Sequence, residues 1–312
     1  MDVTAAALFP LAVPFLVLAA RRRWRLQLSR GLQDRIGVTV VRNHYYEPVT
    51  TESDFIHDPA EVRSLPGIDF NLAGQIAVLE KFDYGAELQA LEGRTINGRV
   101  FSYANPMLGA GDAEALYSFI RAFRPATIVE VGSGHSTLLA RLAIAANQAE
   151  TAAYAPRHIC FEPFENPWLE GVGAEIRRER IERADLSLFR ELQTDDLVFI
   201  DSSHVVRPMG DVECEFLRIL PVLPPGVLVH IHDIFTPRDY PAEWLRTQRR
   251  LWTEQYLLEA FLSFNSAFEV MFALNDLHHR DVPALRRAFP ILAAQREAAP
   301  GSFWMRRKQA AD

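Results

Sequence analysis

The stretch IVEVGSGHSTLLA, residues 128–140, constrains the fold more than any other part of the chain. Ile128, Val129 and Val131 make a short apolar run of buried-strand type, with Glu130 its only polar interruption. Gly132 and Gly134 bracket Ser133. Glycines in such a turn tolerate positive φ and let a ligand approach the backbone. Ser136 or Thr137 then starts a helix through Leu138, Leu139 and Leu142. Strand, glycine turn and helix start together make a nucleotide-cradling geometry. A dinucleotide fingerprint would place glycine or alanine where this chain has Thr137.

The pattern recurs downstream. HICFEPF (158–164) reads as a second strand ending at Glu162, a carboxylate placed to accept both hydroxyls of a ribose. A third, less plain unit runs through IRRERIERADLSLF, with a strand expected around Ile176 to Ile181 and Asp185 in the loop after it. DLVFIDSSH (196–204) is an apolar strand that delivers Asp201 and His204 to its carboxyl end. An amphipathic helix through Val212, Phe216, Ile219, Leu220 and Leu223 follows, then PPG (224–226) and the strand VLVHIHDIF, which carries His232 and Asp233. Strands and helices alternating in this way predict an α/β fold: a doubly wound, Rossmann-like, mostly parallel sheet with helices on both faces and ligands at the carboxyl ends of its strands.

On these residues the chain resembles the class I S-adenosylmethionine-dependent methyltransferases, whose first motif reads acid-x-Gly-x-Gly; the third glycine often found there is Ser136 here. Within that class it resembles the bacterial small-molecule group whose fourth motif reads IDSSH or IDGSH. The resemblance covers about residues 110–275 and rests on the ordered set Glu130, Gly132, Gly134, Glu162, Asp201 and PPG. It implies a seven-stranded sheet whose last strand is antiparallel, and S-adenosylmethionine as cofactor. The implied cofactor-binding residues are Glu130, Gly132, Ser133, Gly134, Glu162, Asp185 and Asp201. Glu130 would face the amino-acid end of the cofactor and Asp185 the adenine.

Methyl transfer needs an acceptor lone pair aligned with the S–CH3 bond, and a hydroxyl acceptor is helped by a base. His204, Asp201, Asp233 and His232 are the candidate catalytic residues, with His204 as base. Asp201, His232 and Asp233 also resemble the metal ligands of catechol-type O-methyltransferases. His232 stands where those enzymes have a carboxylate, and imidazole suits zinc, iron or manganese better than magnesium. A divalent metal and a metal-free acid-base site are therefore both open, the metal-free one favoured. His230, two residues deeper on the same face, is expected to be structural.

The remaining chain frames this domain. Residues 5–20 are free of charged side chains and run into Arg21, Arg22, Arg23 and Arg25. Roughly sixteen to eighteen residues reach about 24 to 27 Å as a helix, slightly short of a ~30 Å hydrocarbon core, and Pro10 and Pro14 would kink it. Membrane association through residues 3–25 is expected, as a marginal span, an interfacial anchor or a hairpin, with the bulk of the protein on the cytoplasmic side. The expected organisation is an anchor with a basic flank (1–25), an N-terminal helical and irregular cap (26–108), the methyltransferase domain (109–280) and a helical tail (281–312) dispensable for chemistry. In methyltransferases such caps supply pocket walls, which makes Tyr45, Tyr46, Tyr103 and Asn105 substrate-binding candidates. Tyr240 and Trp244, in an aromatic segment placed to act as a lid with Trp252 and Tyr256, are two more.

With 33 basic against 40 acidic residues the chain is mildly acidic, and nucleic acid is not a favoured partner. Two cysteines cannot build a disulfide framework or a cysteine-rich zinc site. A small molecule, a glycan or a lipid precursor methylated at oxygen is the expected substrate. The alternatives are an NAD(P)-dependent oxidoreductase on a similar sheet, opposed by Thr137 and the lack of a YxxxK-like pair, and a non-catalytic scaffold that kept the fold.

Overall fold

The computed structural model describes residues 2–21, 27–41, 46–164 and 166–309. They form two compact units, one of residues 1–57 with 243–251 and one of residues 58–242 with 252–312. The first unit holds α1 (Asp2–Arg21) and α2 (Gln27–Ile36). Phe9, Leu11 and Phe15 of α1 are exposed. Pro10 and Pro14 lie within it. Among the described residues no helix is long and apolar enough to cross a membrane, so the expectation of a transmembrane span finds no support.

The second unit is built on a seven-stranded sheet: β1 (Thr127–Val131), β2 (Arg157–Phe161), β3 (Glu175–Arg177), β4 (Leu197–Ile200), β5 (Leu228–Ile231), β6 (Phe268–Ala273) and β7 (Phe303–Arg307). Their spatial order is 3-2-1-4-5-7-6, with β7 antiparallel to both neighbours and β1 to β5 parallel. Alternation along each strand feeds two apolar layers. Ile128, Leu197, Phe199 and Leu228 face one layer, with α3 (Leu72–Leu79), α4 (Asp112–Phe123) and α5 (His135–Glu150). Val129, Val131, Val198, Ile200 and Val229 face the other. There they meet α6 (Asp211–Cys214), whose helix continues to Val222, and α7 (Glu254–Leu262). Helices on both faces of a mostly parallel sheet are the doubly wound architecture that the repeat predicts.

Two elements depart from expectation. The tail is not a dispensable helix: short helices at Pro283–Ala288 and Pro290–Ala294 lead into β7, which fills the gap between β5 and β6. Its Trp304 is fully buried and stacks on Phe119 of α4 with ring centroids 3.8 Å apart. Such a pair contributes about 0.5 to 1.5 kcal/mol beyond its area burial. Residues 58–108 belong to the same unit as the sheet. The Gln75 side chain accepts from Ala273 N at 2.7 Å, and the Asn71 amide donates to Val270 O, so α3 is hydrogen-bonded to β6. Asp112 is the first residue of α4, after Gly111 at the N-cap. Its Oδ1 accepts from Gly301 N and Ser302 N, tying the start of α4 to the entry of β7.

Candidate active site

The first residue past each of three strands continues the ladder: Gly132 N donates to Phe161 O, Asp201 N to Val131 O and His232 N to Ile200 O. Register alone therefore brings the glycine turn, Asp201 and the His232-Asp233 pair to one edge. Gly132 has φ +82°, and a Cβ there would lie 1.8 Å from the carbonyl oxygen of Asp201. No side chain fits between these two strand ends.

A cavity of about 730 Å³ opens beside this turn, within the size range of small-molecule and cofactor sites. Gly132, Glu162, Phe164, Ile181, Glu182 and Asp201 are among its walls. Glu162 is buried. Its two oxygens accept from Ser133 N at 3.2 Å and Phe164 N at 2.9 Å, which leaves a lone pair on each for a diol. A carboxylate fixed at a strand end beside a glycine turn fits the ribose of S-adenosylmethionine.

Two expected cofactor contacts lie elsewhere. Glu130 alternates with Val129 and Val131, so its side chain turns under α5 and is fully buried. It accepts from the Thr137 hydroxyl at 2.6 Å and lies 3.2 Å from His158 Nε2, and Thr137 in turn accepts from Gly134 N. Glu130 thus braces the glycine turn from beneath. Asp185 is exposed and accepts from Ser187 N, a bond that holds its carboxyl below the usual range. The acid at that side of the cavity is Glu182.

The second half of the site gathers around His204. Its Nε2 lies 3.3 Å from Asp201 and 3.7 Å from Asp233, and its Nδ1 lies 2.8 Å from the buried Glu254. Burial alone would lower the imidazole's affinity for its proton, but the carboxylates of Asp201 and Glu254 raise it well above the ordinary value. Both His204 (φ +59°) and Asp233 (φ +57°) have left-handed backbones, a conformation that costs of order 1 to 3 kcal/mol and persists where surroundings over-determine it. Asp201, His204 and Asp233 each offer a donor atom within 4.8 Å of the others, so two carboxylates and an imidazole could hold a divalent cation.

His232 is not in that group of three, in which His204 stands with the two aspartates. The His232 ring is buried with Nδ1 3.3 Å from His230 Nε2, and its Nε2 lies 3.7 Å from Asp233. His230, as expected, is structural, stacked on Phe199 and tilted against Trp304.

Of the aromatic and amide candidates in the second unit, Tyr103, Asn105 and Tyr240 are not among the cavity's walls. Tyr103 is buried, its hydroxyl donating to Leu88 O. Asn105 closes its own loop through Ser102 O, Leu108 O and the amides of Met107 and Leu108. Tyr46 and Trp244 belong to the first unit, where Trp244 carries Arg250 over its ring, and Tyr45 lies outside the described residues. Tyr240 is buried and packs on Trp252, whose ring meets His204 with centroids 4.2 Å apart, so these aromatics back the histidine.

Sequence reasoning missed Glu254 and Glu215. Glu254 shares the buried face of α7 with Leu258 and Leu262, and Glu215 lies among Val212, Phe216 and Ile219. A carboxylate at a core position of an amphipathic helix is the signal that could have found both. Burial, then the charge of Glu254, pushes Glu215 well above the usual carboxylate range, and the Ser202 hydroxyl donates to it at 3.2 Å.

Sheet, cavity and strand-end acids define an α/β enzyme that takes a nucleoside-bearing cofactor. Residues 129–234 match the family model described as a methyltransferase domain, the span from β1 to just past β5. This match supports an S-adenosylmethionine-dependent methyltransferase activity. Six chains of solved structure match it, among them the plantazolicin methyltransferase BpumL in complex with SAH. That chain is 10% identical, with a TM-score of 0.36, covering 76% of this chain and 96% of that one. No curated protein matches.

Proposed function

We propose that the enzyme methylates an oxygen of a small-molecule, glycan or lipid-precursor acceptor, and that it belongs with the methyltransferases whose fourth motif reads IDSSH or IDGSH. The observation that carries this reading is the shared wall: Asp201 lines the donor cavity and also touches His204. S-adenosylmethionine supplies an electrophilic methyl group. A hydroxyl acceptor gains that methyl and loses its proton, so the edge facing the donor must hold proton-accepting groups. The carboxylates around His204 raise its proton affinity, which weakens it as a base. The role passes to Asp233, with Asp201 and His204 fixing the acceptor and the local charge.

The convergence of Asp201, His204 and Asp233 favours a second reading, in which they hold a divalent cation that lowers the pKa of the acceptor hydroxyl. Manganese or zinc added to purified protein should then raise its melting temperature, and Asp201→Asn/Asp233→Asn should abolish that rise. No rise in the parent protein would remove the cation.

α1, apolar and exposed at Phe9, Leu11 and Phe15, is proposed to attach the enzyme to the cytoplasmic face of a membrane by lying in its interface. Co-sedimentation with anionic vesicles should be lost when residues 3–25 are removed.

The test of the reaction is incubation with methyl-labelled S-adenosylmethionine and an extract of cellular metabolites. Label should enter an alkali-stable ether or an alkali-labile ester. Transfer to nitrogen or carbon alone would overturn the oxygen assignment.

A further inference from the structure

We infer that residues 252–254, at the start of α7, form a positioning clamp for His204, in which Glu254 fixes the ring nitrogen presented to Asp201 and Asp233. The inference rests on the reading of His204 as part of the acceptor site.

Five contacts converge on one short segment. Thr253 N and Glu254 N both donate to the His204 carbonyl, at 2.8 and 3.1 Å. Val206 N donates to the Thr253 hydroxyl at 2.9 Å, holding the chain just past the histidine. The Trp252 ring covers the imidazole, and the Glu254 carboxylate meets Nδ1 at 2.8 Å. Backbone, ring face and ring edge of His204 are each held from this segment, which accounts for a left-handed histidine at a strand end.

The Glu254 contact has chemical content beyond anchoring. Burial raises the Glu254 pKa and its bond to His204 lowers it, and as a carboxylate it accepts the Nδ1 proton. Nε2 is then the nitrogen that faces Asp201 and Asp233, and its lone pair or its proton is the one the acceptor edge can use. Glu254 is fully buried and is not among the residues of the donor cavity. It is therefore a positioning residue: it acts through His204.

Imidazole NMR of isotope-labelled histidine, with the His204 signal identified by its loss in His204→Gln, tests the clamp. A slowly exchanging Nδ1 proton is expected in the wild type and in Glu254→Gln, whose amide oxygen still accepts. It should be lost in Glu254→Ala, and also in Glu254→Asp, which keeps the charge but shortens the reach. Affinity for S-adenosylhomocysteine should stay within about twofold of wild type in all three, as for independent sites. With an acceptor in hand, kcat should fall about 10- to 100-fold in the alanine and aspartate variants, with the donor KM unchanged and partial rescue by glutamine.

A persisting Nδ1 proton in Glu254→Ala or Glu254→Asp would overturn the inference. If the alanine variant fails to fold, the aspartate and glutamine pair still decides it. Failure of the wild type to bind S-adenosylhomocysteine would remove the donor reading, and the histidine spectrum would still settle the clamp.

Discussion

The proposed donor half of the site, at the ends of β1 and β2, and the proposed acceptor half, at the ends of β4 and β5, sit on one sheet edge but are built differently. The donor half is local. A glycine turn supplies backbone N–H groups, Glu162 ties that turn to the next strand, and Glu130 braces it from below through Thr137. The acceptor half joins residues far apart in sequence, Asp201, His204, Asp233 and Glu254, and holds two of them in left-handed backbone. Recognition of a cofactor can be written in two successive strand ends and the turn between strand and helix. A reacting centre draws its charges from several strand ends and a later helix.

Gly132 is where the halves touch, so Gly132→Ala should have the largest effect. The new methyl collides with the Asp201 carbonyl, and the variant should lose about 3 kcal/mol or more of stability, together with donor binding. Chemical denaturation and a titration with S-adenosylhomocysteine would show it; near-normal values in both would separate the halves. Next, Asp233→Asn should lower methylation about 100-fold or more while leaving donor affinity intact, because its carboxylate meets His204 and not the donor cavity. Glu162→Gln should do the reverse. Donor affinity should fall about 10- to 100-fold, or about 1.4 to 2.8 kcal/mol, while manganese or zinc at the other half, if it stabilises the parent, does so equally in the variant. Asp185→Asn should change donor affinity less than about twofold, because this exposed side chain serves only its own helix start. A larger loss would return Asp185 to the adenine end of the site.

The same contrast explains what could be read in the sequence. The βα repeat, the glycine turn and the strand-end acids Glu162 and Asp201 follow from short-range periodicity and turn chemistry. The side on which Glu130 lies also followed from strand alternation, yet the resemblance to a cofactor motif pulled it toward the ligand. β7 was illegible because a short strand, FWMRR, gains its identity only by pairing with β5 and β6. Before that pairing it reads as the end of a polar tail. Residue type alone makes Tyr103 and Asn105 candidates, and their partners, Leu88 O and the loop of Asn105 itself, are visible only in three dimensions. Glu254 lay in plain view on a buried helix face, but its target, His204, is fifty residues away.

The most direct test of a two-part site is calorimetric titration of S-adenosylhomocysteine, with NADPH as the control ligand, into wild type, Glu162→Gln and Asp233→Asn. The account predicts binding of S-adenosylhomocysteine alone, weakened about 10-fold or more in Glu162→Gln and unchanged in Asp233→Asn. Binding of NADPH instead, or equal loss in both variants, would contradict it.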